Sequence, residues 1–301
     1  MKRDVLLKLI PVIILILLIQ GIGCGTTKSV YRKVRPNKAG LKKRVLVIPI
    51  LDQAGVGKAK VAQITATLIE YLEKDEHLLV HKGMNPSPST QRVQSPEFGV
   101  VIDPALIKSA EEMGMNVLIV GVLSPFESTA KRWGIWPFRK TGEELEISLL
   151  VGAVDLIDGT LFVSHLETRK TKIRTDDPEW EQSKTEIDEE RLEKELSDIL
   201  EDQASAITKE LRDQPWRGKV ISADGETILI NAGKDVGLTE RSVFEVFGKG
   251  ESIRSLGGRD FYLLGPKVGE IETVKVMDSS ASAVPLAKGQ FRPGQVIKIK
   301  N

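Results

Sequence analysis

The hydrophobic and polar positions of the chain follow different periods along its length, and each period predicts a kind of element. Continuous apolar runs predict buried strands, and apolar residues at steps of three and four predict amphipathic helices. The predicted elements of the first part are strand 44–51, helix 58–74, strand 77–81, helix 104–113, strands 117–123, 144–155 and 160–168, and helix 187–211. A long loop is predicted over 82–102, which is rich in Pro, Ser and Gln. This order predicts an α/β-type domain with a mixed sheet over 44–213.

The last part of the chain has a different pattern. After Trp216, short alternating segments are separated by turns that contain glycine, as at 224–225 and 237–238. Such a pattern predicts a small all-β barrel or sandwich domain over 216–301. The fold class expected for the whole chain is therefore α+β, with the α/β-type domain first and the β domain second.

The first 24 residues read as a targeting signal. A basic start is followed by an apolar run over 9–19 and by the small residues that precede Cys24. This segment resembles a bacterial lipoprotein signal, although Gly21 stands where that signal usually has Leu, Val or Ile. The resemblance implies a signal peptide over 1–23 that is removed before Cys24. The alternative is an uncleaved N-terminal membrane anchor.

The same resemblance assigns a role to Cys24, which is the only cysteine. Its thiol would carry acyl chains such as palmitate and anchor the protein in a membrane. Gly25 and Thr26 replace the Asp that retains such proteins in the inner membrane, so the resemblance implies the periplasmic face of the outer membrane. Residues 24–43 are predicted to form the lipidated tether.

The tether is strongly basic, although the whole chain is nearly neutral. Eight basic and no acidic residues lie between Lys28 and Arg44, whereas 43 Lys and Arg balance 42 Asp and Glu overall. Two interpretations stay open for the tether: attraction to an anionic lipid surface, and a solvated linker. The overall balance disfavours a nucleic-acid partner.

No motif of the chain predicts catalysis, a cofactor or a metal. One cysteine and three histidines exclude a disulfide framework and nearly exclude a Cys/His zinc cluster. The segment Gly55-Val56-Gly57-Lys58 lacks two residues of a phosphate-binding loop, since Asp52 and Ala59 occupy their positions. Asp155 and Asp158 surround a predicted turn, where Asp is favoured for local reasons. The chain is therefore predicted not to be an enzyme.

One segment, 131–140, carries more apolar side chains than a loop usually does. We predict that it contacts a partner or a membrane, since Trp and Arg are typical of both kinds of surface. The candidate contact residues are Trp133, Ile135, Trp136, Phe138 and Arg139. The alternative is that the loop folds back and buries its rings against the first domain.

The first domain resembles a group of periplasmic domains through three segments. These segments read RVLVIPILDQ, AEEMGMNVLIVGVL and LEISLLVGAVDLIDGTLFVS. They are similar to the N-terminal domain of TolB, the curli secretion lipoprotein CsgG, the activator lipoproteins of penicillin-binding proteins, and the middle domain of flagellar assembly protein T. The resemblance implies a fold more than a function.

The second domain resembles the C-terminal domain of flagellar assembly protein T. The matching segments read GKVISADGETILINAG, VGLTERSVFEVF, VGEIETVKVMDSSASA and FRPGQVIKI. Together the resemblances imply a non-enzymatic outer-membrane lipoprotein that binds and stabilises an envelope assembly, such as a flagellar basal body or a secretion apparatus. The alternative client is a peptidoglycan synthase, which the protein would activate. Whether the chain forms a homo-oligomer stays open.

Overall fold

The computed structural model describes residues 40–83, 104–174, 189–254 and 260–300. The predicted signal peptide, Cys24 and the tether up to residue 39 therefore lie outside the described residues, as does nearly all of the predicted loop over 82–102. Leu41–Asn301 is one compact unit. Over the described ranges the chain is α+β, with mostly strands, three α-helices and two sheets, so the predicted class is confirmed.

The first sheet and its helices come from the first part of the chain. Its strands are β1 (Lys43–Val47), β2 (Leu51–Asp52), β3 (Leu78–Lys82), β4 (Val117–Leu123), β5 (Glu127–Trp133), β6 (Lys140–Asp155) and β7 (Leu161–Arg174). Its helices are α1 (Lys58–Glu73), α2 (Pro104–Glu112) and α3 (Glu189–Asp213). Strand β4 lies between β1, which is parallel to it, and β6, which is antiparallel. Strand β3 is parallel to β1, and β7 is antiparallel to β6, so the sheet is mixed as predicted.

Both faces of this sheet are covered by helices. On one face, α1 and α3 pack on the strands through apolar side chains that include Leu68 and Ile199. On the other face, Ala110 of α2 packs with Leu118 and Leu150 of the strands. All seven residues of β4 are buried, because a strand covered on both faces has no solvent side. This is why its sequence is a continuous apolar run.

Strand β5 is the element that the sequence pattern did not reveal. It pairs with the first half of β6, from Glu127 opposite Glu146 to Trp133 opposite Lys140. The prediction of a loop over 131–140 is therefore wrong for residues 131–133, which belong to this strand, and for residue 140, which begins β6. The side chains of 127–132 are all exposed, so no alternation of polar and apolar residues marks the strand. We call β5 and the facing residues 140–146 of β6 the arm.

The second sheet comes from the last part of the chain. Its strands are β8 (Arg217–Asp224), β9 (Thr227–Ile230), β10 (Val243–Arg254), β11 (Asp260–Val276), β12 (Ala281–Pro285) and β13 (Val296–Ile299). Their pairing closes on itself in the order β10-β11-β12-β9-β8-β13. Its core has Phe244 fully buried, with the Trp216 ring 5.9 Å from the Phe244 ring between centroids.

The end of the predicted tether is part of the folded chain. Leu41 packs in the core of the second sheet, and Lys43 begins β1 with only 9% of its surface exposed. Arg44, which the sequence placed at the end of the same basic run, is 5% exposed. Residues 41–43 therefore do not belong to a solvated tether, because their neighbours in the fold supply apolar contacts and hydrogen-bond acceptors.

Candidate functional site

The loop that joins the arm strands, residues 134–139, is the strongest candidate for a contact surface, and we call it the arm tip. The turn begins at Gly134, whose φ of +100° suits glycine. A Cβ atom there would lie 2.7 Å from the carbonyl oxygen of Phe138, so a larger residue does not fit. The amide of Phe138 donates to the carbonyl of Ile135 at 2.7 Å and closes the turn.

The arm tip presents apolar side chains to solvent. Ile135 is 85% exposed, Trp136 is 78% exposed and Phe138 is 84% exposed. Arg139 is also exposed, and Trp133 is the last residue of β5, with a side chain outside the described part. Three of the five predicted contact residues are thus neighbouring exposed apolar groups. Ile135, Trp136 and Phe138 are not folded back against the first domain.

The arm behind the tip is polar. Lys131 forms an ion pair with Glu144, and the Ser128 hydroxyl donates to Glu143 at 2.7 Å. Arg132 is exposed, and no ion pair of its guanidinium is found among the described residues. The surface of the arm is therefore apolar at the tip and charged at Arg132 and Lys131 of β5.

A second notable site is a buried polar cluster that joins the two sheets. The Arg44 guanidinium donates to both carboxylate oxygens of Asp235 at 2.8 Å. It also donates to the carbonyl oxygens of Asn231 at 2.7 Å, Ser279 at 2.8 Å and Gly114 at 3.3 Å. All five N–H groups of this arginine are satisfied, so its burial costs little in lost hydrogen bonds.

Asn116 extends this cluster within the first sheet. Its side-chain oxygen accepts from the amide of Arg44 at 2.8 Å, and its side-chain nitrogen donates to the carbonyl of Arg217 at 2.8 Å. The cluster thus connects β1, the start of β4 and the start of β8. A buried side chain that satisfies backbone groups of two strands, and itself lies next to a third, fixes their relative positions.

The two aspartates of the predicted turn have a partner that the sequence did not indicate. Arg217 of β8 pairs with Asp155 and lies 2.8 Å from Asp158. Burial raises the pKa of Asp155, while the Arg217 charge opposes that rise. Asp155 also accepts from the amide of Ile157 at 2.7 Å, and Asp158 accepts from the Thr160 hydroxyl at 2.6 Å. The pair therefore stabilises the turn and holds β8.

Lys43 is a buried cation beside this pair. Its ammonium donates to the carbonyl oxygen of Leu211, in the last turn of α3, and to that of Gln214 at 2.6 Å. Burial lowers the pKa of Lys43 to about 8, with the nearby Asp155 charge acting in the opposite direction. A cation at the carboxyl end of a helix satisfies carbonyl groups that have no partner within the helix.

A crevice of about 200 Å³ lies where the β6–β7 turn meets β8 and the β10–β11 hairpin. Its charged lining is largely paired, since Arg217 contacts Asp158 and Lys219 lies 3.4 Å from Glu111. Lys249 and Tyr262 complete its polar lining, and no Ser, Cys or His is among the lining residues.

The remaining candidates from the sequence do not form a site either. The carboxylate of Asp52 accepts from the amides of Gly55 at 2.7 Å and Gly57 at 3.0 Å, so the glycine loop is satisfied by its own chain. No group of three or more potential metal ligands occurs in the described part of the chain. Over the same residues, no helix has the length and apolar character needed to span a membrane.

Comparison with solved structures finds similarity to about half of the chain. Protein CT253 of Chlamydia trachomatis is 13% identical, with 55% of this chain and 99% of that chain covered and a TM-score of 0.35. The PelC dodecamer of Paraburkholderia phytofirmans is 13% identical, with 55% and 85% covered and a TM-score of 0.31. Lipoprotein GNA1162 of Neisseria meningitidis is 12% identical, with 57% and 99% covered and a TM-score of 0.30.

No protein-family model matches the chain, and no curated protein matches it. The TM-scores of the three similar structures lie well below 0.5. Neither a family nor a function follows from such values. A functional assignment therefore depends on the residues of this chain.

Proposed function

We propose that this chain is a non-enzymatic lipoprotein of the bacterial envelope, anchored through Cys24 at the periplasmic face of the outer membrane. It binds and stabilises an envelope assembly, such as a flagellar basal body or a secretion apparatus. The lipoprotein-like segment before Cys24 supports the anchor, and the resemblance of both domains to envelope proteins supports the kind of client.

The observation that carries the assignment to the envelope is the exposed apolar arm tip. The kind of client depends on the resemblances of the two domains alone. Moving an exposed apolar side chain out of water is favourable by about 25 cal/mol per Å² of apolar area. A cluster of three that are 78–85% exposed is therefore expected to meet another surface. The Arg44–Asp235 and Arg217–Asp155 pairs have structural roles, which favours binding over catalysis.

The anchor is tested by metabolic labelling with an alkyne analogue of palmitate. The wild-type chain is expected to incorporate the label, and Cys24→Ala is expected to lose it completely. A matched control is Ser205→Ala, which changes an exposed residue of α3 and leaves Cys24 intact. Equal labelling of wild type and Cys24→Ala would refute the lipoprotein assignment.

The client is tested by cross-linking in cells, followed by purification of the tagged chain from solubilised envelopes. Flagellar or secretion components are expected to be recovered with the wild type and to be depleted with Cys24→Ala at equal protein level. Recovery of a peptidoglycan synthase instead would assign the alternative client. Recovery of the chain without any envelope protein would contradict a role in an assembly.

A further inference from the structure

The arm tip has a layered arrangement that identifies one kind of contact surface. The outermost layer is apolar and consists of Ile135, Trp136 and Phe138. The next layer is cationic, with Arg139 at the end of the loop and Arg132 in β5 before it, both exposed. Behind these lie the paired charges of Lys131 and Glu144.

This order matches the layers of a lipid surface. Apolar and aromatic side chains lie at the boundary of the hydrocarbon region, while arginines contact the phosphates of the headgroups. Arg132 and Arg139 are both exposed, so their guanidinium groups can reach an anion at this surface. The paired charges of Lys131 and Glu144 then lie on the aqueous side.

The small size of the apolar tip favours lipid over protein. A stable protein interface buries roughly 800 Å² on each partner, and a large aromatic side chain supplies about 150–250 Å². Among the described side chains, the tip offers two aromatic rings, one isoleucine and Pro137, and the exposed side chains at 127–132 of β5 are polar or charged apart from Ala130. A lipid surface needs no such matching area, because a few side chains suffice when a lipid anchor also holds the protein.

We propose that the arm tip inserts into the headgroup region of an anionic lipid surface. This inference rests on the proposed function, since the acylated Cys24 would supply the main anchor. The tip would add a second point of attachment to the membrane. The protein assembly would then be contacted by another part of the chain.

The test uses the full chain with the substitution Ile135→Cys, labelled with the environment-sensitive dye NBD. An acylated Cys24 has no free thiol, so the label is confined to position 135. The chain is reconstituted into vesicles of phosphatidylethanolamine and phosphatidylglycerol (3:1) and into vesicles of phosphatidylcholine alone. Thr129→Cys and Ser205→Cys are matched controls, because both positions are exposed and lie away from the tip.

We expect the label at 135 to shift its emission to the blue and to gain at least twofold in intensity on the anionic vesicles. The shift should be smaller on phosphatidylcholine, and labels at 129 and 205 should stay water-like on both. The double substitution Arg132→Glu/Arg139→Glu in the labelled chain should remove the preference for the anionic vesicles, since it reverses the charge that meets the phosphates.

Water-like emission of the label at 135 on both vesicle types would overturn the inference. A label at 135 that becomes buried only after envelope proteins are added would also overturn the inference. That result would assign the tip to a protein partner. The number of NBD labels per chain distinguishes failure of the lipid-insertion inference from failure of the proposed acylation of Cys24. If Cys24 is not acylated, the Ile135→Cys chain takes two labels, and the Cys24→Ala version then carries the label at 135 alone for the same measurement.

Discussion

At the scale of single residues, Arg44 illustrates how one side chain ties distant segments together. Its sequence context, the end of a basic run, indicates a solvated charge. In the folded chain it is 5% exposed and binds Asp235 together with three carbonyl groups. Removing Arg44 leaves the Asp235 carboxylate and several carbonyl acceptors without their donor. Loss of one partner of a buried pair lowers the free energy of unfolding more than replacement of both partners does.

We therefore expect Arg44→Met to lower the free energy of unfolding by about 3 kcal/mol. Urea denaturation followed by circular dichroism measures this change. The control is Arg132→Met, which removes an exposed arginine and should change the free energy by less than about 0.5 kcal/mol. Similar effects of the two substitutions would show that the Arg44 contacts are not stabilising.

The shifted pKa of Lys43 predicts how the free energy of unfolding depends on pH. Its pKa is about 8 in the folded chain, against 10.5 for the unfolded residue, because burial disfavours the charged form. Between these two values the unfolded chain binds more protons than the folded chain does. The free energy of unfolding therefore gains a contribution from Lys43 that increases as the pH rises from about 8 to about 10.5.

The contribution amounts to at most about 1.4 kcal/mol per pH unit within that window. It is isolated as the difference in unfolding free energy between the wild type and Lys43→Met, measured by urea titration at several pH values. This difference should shift in favour of the wild type as the pH rises through the window. Lys209→Met, at an exposed position of α3, should show a constant difference, and a constant difference for Lys43→Met would disprove the assigned cause.

At the scale of elements, α3 shows a helix whose pattern and packing agree. Its predicted apolar positions are all buried and cover one face of the first sheet. The buried residues are Leu192, Leu196, Ile199, Leu200, Ala204, Ile207 and Leu211. The pattern finds such a helix because a solvated face and a buried face alternate with the helical period.

The same substitution at two leucines tests this packing. Leu200 of α3 is 1% exposed, whereas Leu166 of β7 is 54% exposed. We expect Leu200→Ala to lower the free energy of unfolding by about 2–5 kcal/mol, because it removes transfer free energy and leaves a cavity. Leu166→Ala should cost less than about 1 kcal/mol by the same denaturation measurement. A smaller cost for Leu200→Ala than for Leu166→Ala would contradict the helix placement.

At the scale of the whole molecule, the apolar clusters of the first sheet and the core of the second sheet are joined by polar contacts. One cluster lies on each face of the first sheet, and the third fills the second sheet. Between them lie the Arg44–Asp235 pair, the Arg217–Asp155 pair and the bridge of Asn116. Leu41–Asn301 is one compact unit, so these contacts are expected to make the two parts unfold together.

We predict coincident unfolding of the two parts in the wild type and separate transitions in Arg44→Met/Arg217→Met. In the described ranges all three α-helices pack on the first sheet, so circular dichroism at 222 nm follows the first part. The fluorescence of Trp216 reports the unfolding of the second sheet, because Trp216 packs against Phe244 there. It is obtained as the difference between the signals with and without the substitution Trp216→Phe. Coincident transitions in the double variant would show that other contacts couple the two parts.

The sequence by itself determined the elements whose burial is periodic or continuous. Helices α1 and α3 and the strand β4 lie within two residues of their predicted bounds, since each covers or fills a core and its pattern records that burial. The resemblance of the first 24 residues to a lipoprotein signal also comes from the sequence alone, because a targeting signal depends on local composition.

Only the tertiary structure decided which polar residues meet. Arg44 and Asp235 are separated by 191 positions, and no local pattern pairs one arginine with one carboxylate at such a distance. Strand β5 was likewise invisible, because its exposed side chains leave no alternation and its pairing with β6 depends on backbone hydrogen bonds. The arm tip combines both kinds of information: its apolar composition is local, whereas its exposure follows from the arm on which the fold places it.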